Sequence, residues 1–517
     1  MGIPIDNQNV DQLRKGDYRL DVSNFGPIVQ ASLDLRPLTV FIGPSNTGKS
    51  YLAILIYALH RCFRGLTLTD GGQFSQRLGW RIDPTELGSA ASEKEVRRSL
   101  HDWLFKALSA EKGSLPALPG EVVSYMRSSL EQVKSLGRNL EKQIERCFGV
   151  EKSAELVRRY GSATVSQIGF GVPQNDAGRA HYQLEFGKGE CRFSGHISDI
   201  EPLEIGFPGS LDERNEWLRR FTTLGVIKPQ DLQFLLESLT QMLFRSLVDP
   251  LYQDAYYLPA DRTGVMHSHQ VVVSTLIQKA TTAGLRRSLD VPMLSGVLAD
   301  FLEQLVEMGS ARVRSRYKAA RELAGHLENN ILMGHVRVDR SLTGYPIFTY
   351  RPRDWKKDLP LMRASSMVSE LAPVVLYLRH VVRSGDLLII EEPESHLHPA
   401  MQAAFARELA RAVRAGVRIV MTTHSEWFLE QIGNLACLSG LSEDNRKGVI
   451  KEDFSLRPDE LGVWLFETTK RPKGSTVKEV TLDRETGLYP SGFDEVGEAL
   501  YNEGATIFNR RQEDRNQ

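Results

Sequence analysis

Cysteine is scarce in this chain of 517 residues: four occur, Cys62, Cys147, Cys191 and Cys437, and no two are spaced as a zinc half-site or a redox pair. That excludes a disulfide scaffold and a thiol–metal centre as organising principles, and a reducing cytoplasm is the expected location. Long apolar runs are missing too. The longest helix-like one, Leu371 to Val382, is interrupted by Arg379 and His380 and reads as a buried helix, so no membrane partner is expected. The stretch Met1 to Asp6 lacks the basic and apolar pattern of a signal peptide. Surplus charge is absent: 64 Lys and Arg against 65 Asp and Glu leave −1, so any polyanion must be met by a local patch. A hydrophobic share of 41% is ordinary for a globular chain, whereas 517 residues exceed what one core usually supports, and more than one structural unit is expected.

What is present is a glycine-bounded loop in a telling context. Gly43-Pro44-Ser45-Asn46-Thr47-Gly48-Lys49-Ser50 follows the apolar stretch Leu38 to Ile42 and opens a helical pattern from Tyr51 to Phe63. Strand, loop and helix in that order make a phosphate-binding P-loop. Its backbone N–H groups face the phosphates of a nucleoside triphosphate, Lys49 reaches the outer phosphates, and the Ser50 hydroxyl ligates Mg2+. Leu52, Leu55, Ile56, Leu59 and Phe63 recur at helical spacing, which lays one face of that helix on a core.

Far downstream, Asp386 to Ile390 is an apolar strand ending in Glu391-Glu392-Pro393, which delivers two carboxylates to the carboxyl edge of a parallel sheet. Glu391 sits where a magnesium-organising carboxylate belongs. Glu392 sits where a general base polarises the attacking water. After a helical stretch from Met401 to Ala415, a further strand, Val417 to Met421, runs into Thr422-Thr423-His424, placing a histidine one strand away from the glutamates. Ser365-Ser366 caps the helical run from Met367 onward and offers hydroxyls and free N–H groups to an anion.

Gly43 to Ser50, Ala364-Ser365-Ser366-Met367, the Glu-Glu-Pro-Glu-Ser-His-Leu-His-Pro string from Glu391 to Pro399, and Thr422-Thr423-His424 together resemble the ABC-type head ATPases of the SMC/RecF/OLD group. Within that group they look like the compact subgroup encoded with nucleases in bacterial antiphage systems, such as the ATPase subunits of Septu and PARIS. Tyr256-Tyr257-Leu258-Pro259-Ala260-Asp261-Arg262 also looks like a family element. The resemblance implies an α/β fold: an ABC/SMC-like P-loop ATPase head with a mixed sheet flanked by helices and an inserted, largely helical lobe. It implies ATP and Mg2+ as ligands, and Lys49, Glu392 and His424 as catalytic residues, with His424 the switch histidine. Gly43, Ser45, Asn46, Thr47, Gly48, Lys49 and Ser50 would hold the nucleotide, Ser50 and Glu391 the metal. Ser365 would be the signature serine that touches the γ-phosphate held by a second subunit, so a head-to-head homodimer is expected. The partner expected beyond that is a separate effector, an HNH or Toprim nuclease. Ser366-Met367 replaces the usual paired glycines, Glu391 the usual aspartate, and His398 a common aspartate, which together point to weak or gated turnover.

More than three hundred residues separate Lys49 from Ser365, yet no heptad pattern is sustained in them, because Pro116, Pro119 and Gly149 cut the helical stretches Glu93 to Lys112 and Glu121 to Phe148. The expected division is 17–63 as the first part of the head, 64–254 as a mostly helical insertion, 255–430 as the second part, and 431–517 as a strand-rich extension. Two further helical blocks are expected, from Pro229 to Leu247 and from Gly296 to Leu332. Arg312, Arg314, Arg316, Lys318 and Arg321 with Tyr317 form a basic cluster that either grips a DNA backbone or is solvated surface. Arg351 to Lys357 is a second basic patch. In the tail, Gly462 to Glu467 and Ser475 to Val480 read as a hairpin closing the head, and Arg510 to Gln517 as disordered. Two other functions stand beside regulated ATP hydrolysis: a nucleotide-gated scaffold, and a DNA-repair ATPase.

Overall fold

In this computed structural model the residues described are 18–64, 93–109, 116–131, 134–158, 160–161, 163–172, 180–187, 189, 191–197, 229–282, 294–308, 317–340, 346–446, 449, 455–483, 487–488 and 494–516. The first elements among the described residues form a hairpin, β1 (Arg19–Phe25) and β2 (Ile28–Asp34), whose turn is Gly26-Pro27. Gly26 has φ +54°, and a Cβ there would lie 2.4 Å from the Tyr51 ring, so only glycine fits. The loop strand β3 (Leu38–Ile42) follows, then α1 (Lys49–Arg64).

The intervening region carries helices α2 (Glu93–Ser109), α3 (Gly120–Glu131) and α4 (Lys134–Phe148), and then strands β4 (Val165–Val172), β5 (Ala180–Gly187) and β6 (Arg192–Ile197). After α5 (Pro229–Leu247) and β7 (Ala255–Leu258) come α6 (Arg262–Thr282), α7 (Gly296–Met308) and α8 (Lys318–Leu327). A small sheet of β8 (Gly334–Arg340), β9 (Pro346–Pro352) and β10 (Leu359–Pro360) precedes α9 (Ser366–His380). The last part holds β11 (Leu387–Glu391), α10 (Pro399–Arg414), β12 (Arg418–Thr422), α11 (Glu426–Leu438), β13 (Leu461–Lys470), β14 (Lys473–Glu479) and α12 (Asp494–Asn516).

Among the described residues one eleven-stranded sheet organises the fold beside the small sheet, in the order β6-β5-β4-β1-β2-β14-β13-β3-β12-β11-β7. The block β13-β3-β12-β11-β7 is parallel throughout, and the arm from β2 to β6 is antiparallel. Both faces of the parallel block are buried, which is why its strands read as unbroken apolar runs. Phe41, Leu387, Ile389 and Val420 point to the core shared with α1 and the helices of the insertion. Their alternates Val40, Ile42, Leu388, Ile390, Ile419 and Met421 point to the core shared with α9, α10 and α11.

The sheet is mixed and flanked by helices, as the sequence implied, and several local expectations are corrected. The strands within the mostly helical insertion join the main sheet, where β4 pairs with β1 and carries it outward by three strands. The expected tail hairpin is present and lies inside the sheet, with β13 against β3 and β14 against β2. Residues 494–516 form a helix where the last turn of chain was expected to lack structure. Helix α6 was not anticipated, and the block expected from Gly296 to Leu332 divides into α7, α8 and a π-helical turn at Glu328–Leu332. No helix among the described residues is long and apolar enough to cross a membrane.

Candidate functional site

Between the end of β3 and the start of α1 the chain makes a tight loop with positive φ at Gly43 (+129°), Asn46 (+64°) and Gly48 (+102°). A Cβ at Gly43 would sit 2.4 Å from the Phe466 carbonyl oxygen, and one at Gly48 2.7 Å from Ile28 Cγ1. Both glycines are therefore demanded by close approach as well as by dihedral angle. Thr47 Oγ1 donates to the Pro44 carbonyl at 2.8 Å and braces the loop from behind. Lys49 Nζ donates to the carbonyls of Gly43 at 2.8 Å and Pro44 at 2.7 Å, so the ammonium is folded over the loop that presents it. Burial draws its pKa down to about 8 against the opposing pull of Glu392 and Glu394.

A cavity of 530 Å³ opens over this loop. Ser45, Asn46, Gly48, Lys49 and Ser50 form its floor, and Glu392, Thr422 and His424 form one flank. Parallel pairing explains the meeting: β12 lies between β3 and β11, so the carboxyl ends of all three strands come out on one edge. Gly43 and Thr47 support the loop without lining the cavity. Ser50 is exposed at the first turn of α1, where the helix dipole favours an anion.

Glu391 and Glu392 part company. Glu391 keeps its strand pairing with Thr422, and its Oε2 accepts from the Ala260 N–H at 3.2 Å, so it is buried behind the wall. Glu392 takes φ +43°, a left-handed conformation strained for a side-chain-bearing residue, and this turns it onto the cavity. Successive strand residues face opposite ways, and the turn at Glu392 rotates one carboxylate to the loop while the other stays put. Expectation had both acids facing the loop.

A fully buried arginine holds that turn. Arg262 Nη1 donates to the carbonyls of Glu391 (2.6 Å) and Pro259 (3.0 Å), Nη2 to that of Glu392 (3.1 Å), and Nε to that of Glu370 (3.2 Å). Its guanidinium also pairs with the Glu370 carboxylate, itself 1% exposed, on α9. The end of β11 and the helix that begins after Ser365 are thus tied to one side chain. Sequence reasoning singled out the Tyr256-to-Arg262 stretch but gave Arg262 no role, since an arginine at a helix start ordinarily reads as surface.

His424 stands exposed on the flank, its backbone N–H donating to Glu394 Oε1 at 2.6 Å. Burial and the nearby Lys49 ammonium lower its pKa, so its ring is neutral near pH 7. Glu394 has its pKa raised by burial. Ser365 lies apart from the cavity wall: it is exposed, caps α9, and accepts from the Val368 N–H at 3.4 Å. Of the first basic cluster, Arg312, Arg314 and Arg316 lie outside the described residues. Tyr317 is tied by its hydroxyl to the Ala415 carbonyl, and Lys318 pairs with Glu322 at 3.5 Å. In the second patch Arg351 is held by Asp358 through bonds of 2.6 and 2.9 Å, whereas Trp355 is exposed.

A loop with two irreplaceable glycines, a lysine and an exposed serine, opposed by a carboxylate, suits a triphosphate with Mg2+. Among the described residues no group of three or more His, Cys, Asp or Glu is placed to hold a metal alone. A divalent ion here would take single protein oxygens and complete its shell with phosphate and water.

Fold and site are those of a P-loop chain built on a mixed sheet, with the loop and the glutamate and histidine strand ends on one sheet edge. Residues 245–430 match the family model described as AAA domain, putative AbiEii toxin, Type IV TA system, and that segment holds β7, Arg262, α9, the glutamates and His424. A stretch of 105 residues is 31% identical to Protein ea59 of Escherichia phage lambda, covering 20% of this chain and 20% of that protein. The match therefore spans about a fifth of that relative's length. Among solved structures, the chain is similar over 91% of its length to the SMC head domain from Thermotoga maritima, with 10% identity, a TM-score of 0.37 and all of that chain covered. It is similar over 91% to the SmcHead bound to the C-winged helix domain of ScpA, with 8% identity, a TM-score of 0.39 and 98% of that chain covered.

Proposed function

We propose that this chain is a Mg2+-dependent ATPase whose heads pair across bound ATP and whose cycle regulates a separate effector, a nuclease of the HNH or Toprim kind, in bacterial antiphage defence. The observation that carries the hydrolytic part is the meeting of Lys49, Ser50, Glu392 and His424 around one cavity, although the chain separates the first pair from the second by more than three hundred residues. The defence part is supported by the sequence resemblance and by the toxin–antitoxin description of the matching family.

Lys49 leaves the carbonyls of its own loop to bind the outer phosphates, and its ammonium offsets the charge that builds there. Ser50 would hold Mg2+ at the loop and Glu391 would organise it from behind the wall, and the ion would supply charge neutralisation at the phosphates. Glu392 orients the attacking water and accepts its proton. His424 donates a hydrogen bond to the outer phosphate and reports its presence. Ser365, exposed at the head of α9, completes the site of a second copy, and Arg262 passes the state of the glutamate turn to that helix.

The decisive measurement is steady-state ATP turnover of the purified chain and of Glu392→Gln. Loss of the base should lower the rate by about 10²- to 10⁴-fold with ATP binding retained. Equal rates for the two proteins would overturn the catalytic assignment in favour of a nucleotide-gated scaffold.

A further inference from the structure

The cavity has a second flank that phosphate chemistry leaves unused. In the sheet order, β3 has β12 and β11 on one side and β13, β14, β2 and β1 on the other. Glu392, Thr422 and His424 come from the first side. From the second come Gly26 and Pro27, in the β1–β2 turn, and Glu155, Val157 and Tyr160, in the insertion. A triphosphate lying along the loop with its outer phosphate at Glu392 therefore sends its inner phosphate, sugar and base toward the second side.

That side is built, not incidental. The Gly26 N–H donates to the Leu156 carbonyl at 2.6 Å, and the Arg158 N–H to the Asn24 carbonyl at 2.9 Å. Arg158 Nε donates to Asn24 Oδ1 at 3.1 Å and Nη1 to the Lys473 carbonyl at 3.0 Å. The Ser475 N–H donates to the Pro27 carbonyl at 3.0 Å, and its hydroxyl to the carbonyl of Thr47 in the phosphate loop. Segment 153–158, the hairpin turn, β14 and the loop are thus one frame, and Tyr160 stands at its edge. The Tyr160 ring is 48% exposed and lines the cavity. Lys473 Nζ lies 4.5 Å from the ring centroid, a cation–π contact that holds the ring, and Lys473 itself does not line the cavity.

We propose that Tyr160 is the stacking platform for the base of a purine nucleoside triphosphate, with Pro27 and Val157 as the apolar sides of the subsite. The proposal rests on the nucleotide reading given above and adds to it the residue that selects the base. A purine is favoured because its two fused rings cover more of an aromatic face than a pyrimidine does, and stacking is tolerant of ring substituents. The insertion, which carries none of the phosphate machinery, would then decide which nucleotide the head accepts.

The test is calorimetric binding of ATP, GTP, CTP and inorganic tripolyphosphate to the full chain, to Tyr160→Ala, to Tyr160→Phe and to Lys49→Ala. Tyr160→Ala should weaken ATP and GTP roughly tenfold or more and leave tripolyphosphate unchanged, while Tyr160→Phe keeps the native affinities. The native chain should hold ATP and GTP more tightly than CTP. Native ATP affinity in Tyr160→Ala, or equal losses for ATP and tripolyphosphate, would overturn the proposal. If Lys49→Ala instead bound every ligand as the native chain does, the nucleotide reading itself would fall.

Discussion

Replacing Arg262 by methionine removes a guanidinium that is fully buried and bonded to four backbone carbonyls and one carboxylate. Methionine fills much of the volume, so the loss is mainly electrostatic. Glu370, 1% exposed, is left with the Thr263 hydroxyl but without its counter-charge. Breaking one partner of a buried ion pair destabilises by about 3–5 kcal/mol, because the remaining charge stays desolvated. In the double variant Arg262→Met/Glu370→Met that charge is gone too, and what remains is the loss of donors to the backbone carbonyls of Pro259, Glu391, Glu392 and position 370, roughly 1 kcal/mol each. Urea unfolding of the native chain, both single variants and the double variant closes the cycle, and a coupling energy of about 2–3 kcal/mol is expected. Turnover should fall further than ATP affinity, since the left-handed turn at Glu392 loses its clamp. A single variant less than about 1 kcal/mol below the native chain, or losses that simply add, would refute the account of Arg262 as the tie between β11 and α9.

Two other perturbations test separate parts of the site. Because burial holds the Lys49 pKa near 8 and a bound polyanion favours the charged form, ATP affinity should be flat below pH 8 and weaken about tenfold per pH unit above it, as seen by calorimetry across pH; affinity unchanged to about pH 9.5 would contradict this. In the unliganded chain the sign is opposite: a lysine whose folded value is depressed contributes stability above its unfolded value of 10.5, and that contribution is lost as pH falls through about 8. Ser365→Arg removes an exposed cap worth about 1 kcal/mol and should spare nucleotide binding while abolishing ATP-dependent pairing in light scattering; pairing at the native level would reject the composite site.

The legible parts of the molecule are those whose signal is local. β3, the loop and α1 fall where alternation, glycines and helical spacing place them, and so do β11, β12, α10 and the cap at Ser365. The parts that escaped are set by partners remote in sequence. Strands β4 to β6 fall within the stretch read as a mostly helical insertion, and nothing local says that β4 will pair with β1. The hairpin β13–β14 shows its own turn but not that it will slide between β2 and β3. Glu391 and Glu392 are adjacent letters of one type, and only the Arg262 clamp and the left-handed turn assign them different surroundings. Tyr160 belongs to no motif.

By itself the sequence determined the chemistry of the phosphate site, because a P-loop is a backbone device whose glycines, lysine and serine act within eight consecutive residues. It also determined that the parallel strands would be buried on both faces, since their apolar runs leave no side for water. Tertiary structure alone decided which glutamate meets the loop, that a buried arginine joins it to α9, and that the insertion walls the far end of the cavity. Those outcomes depend on burial and on hydrogen bonds between segments far apart in the chain, and such terms acquire a value only once folding has excluded water and fixed the distances.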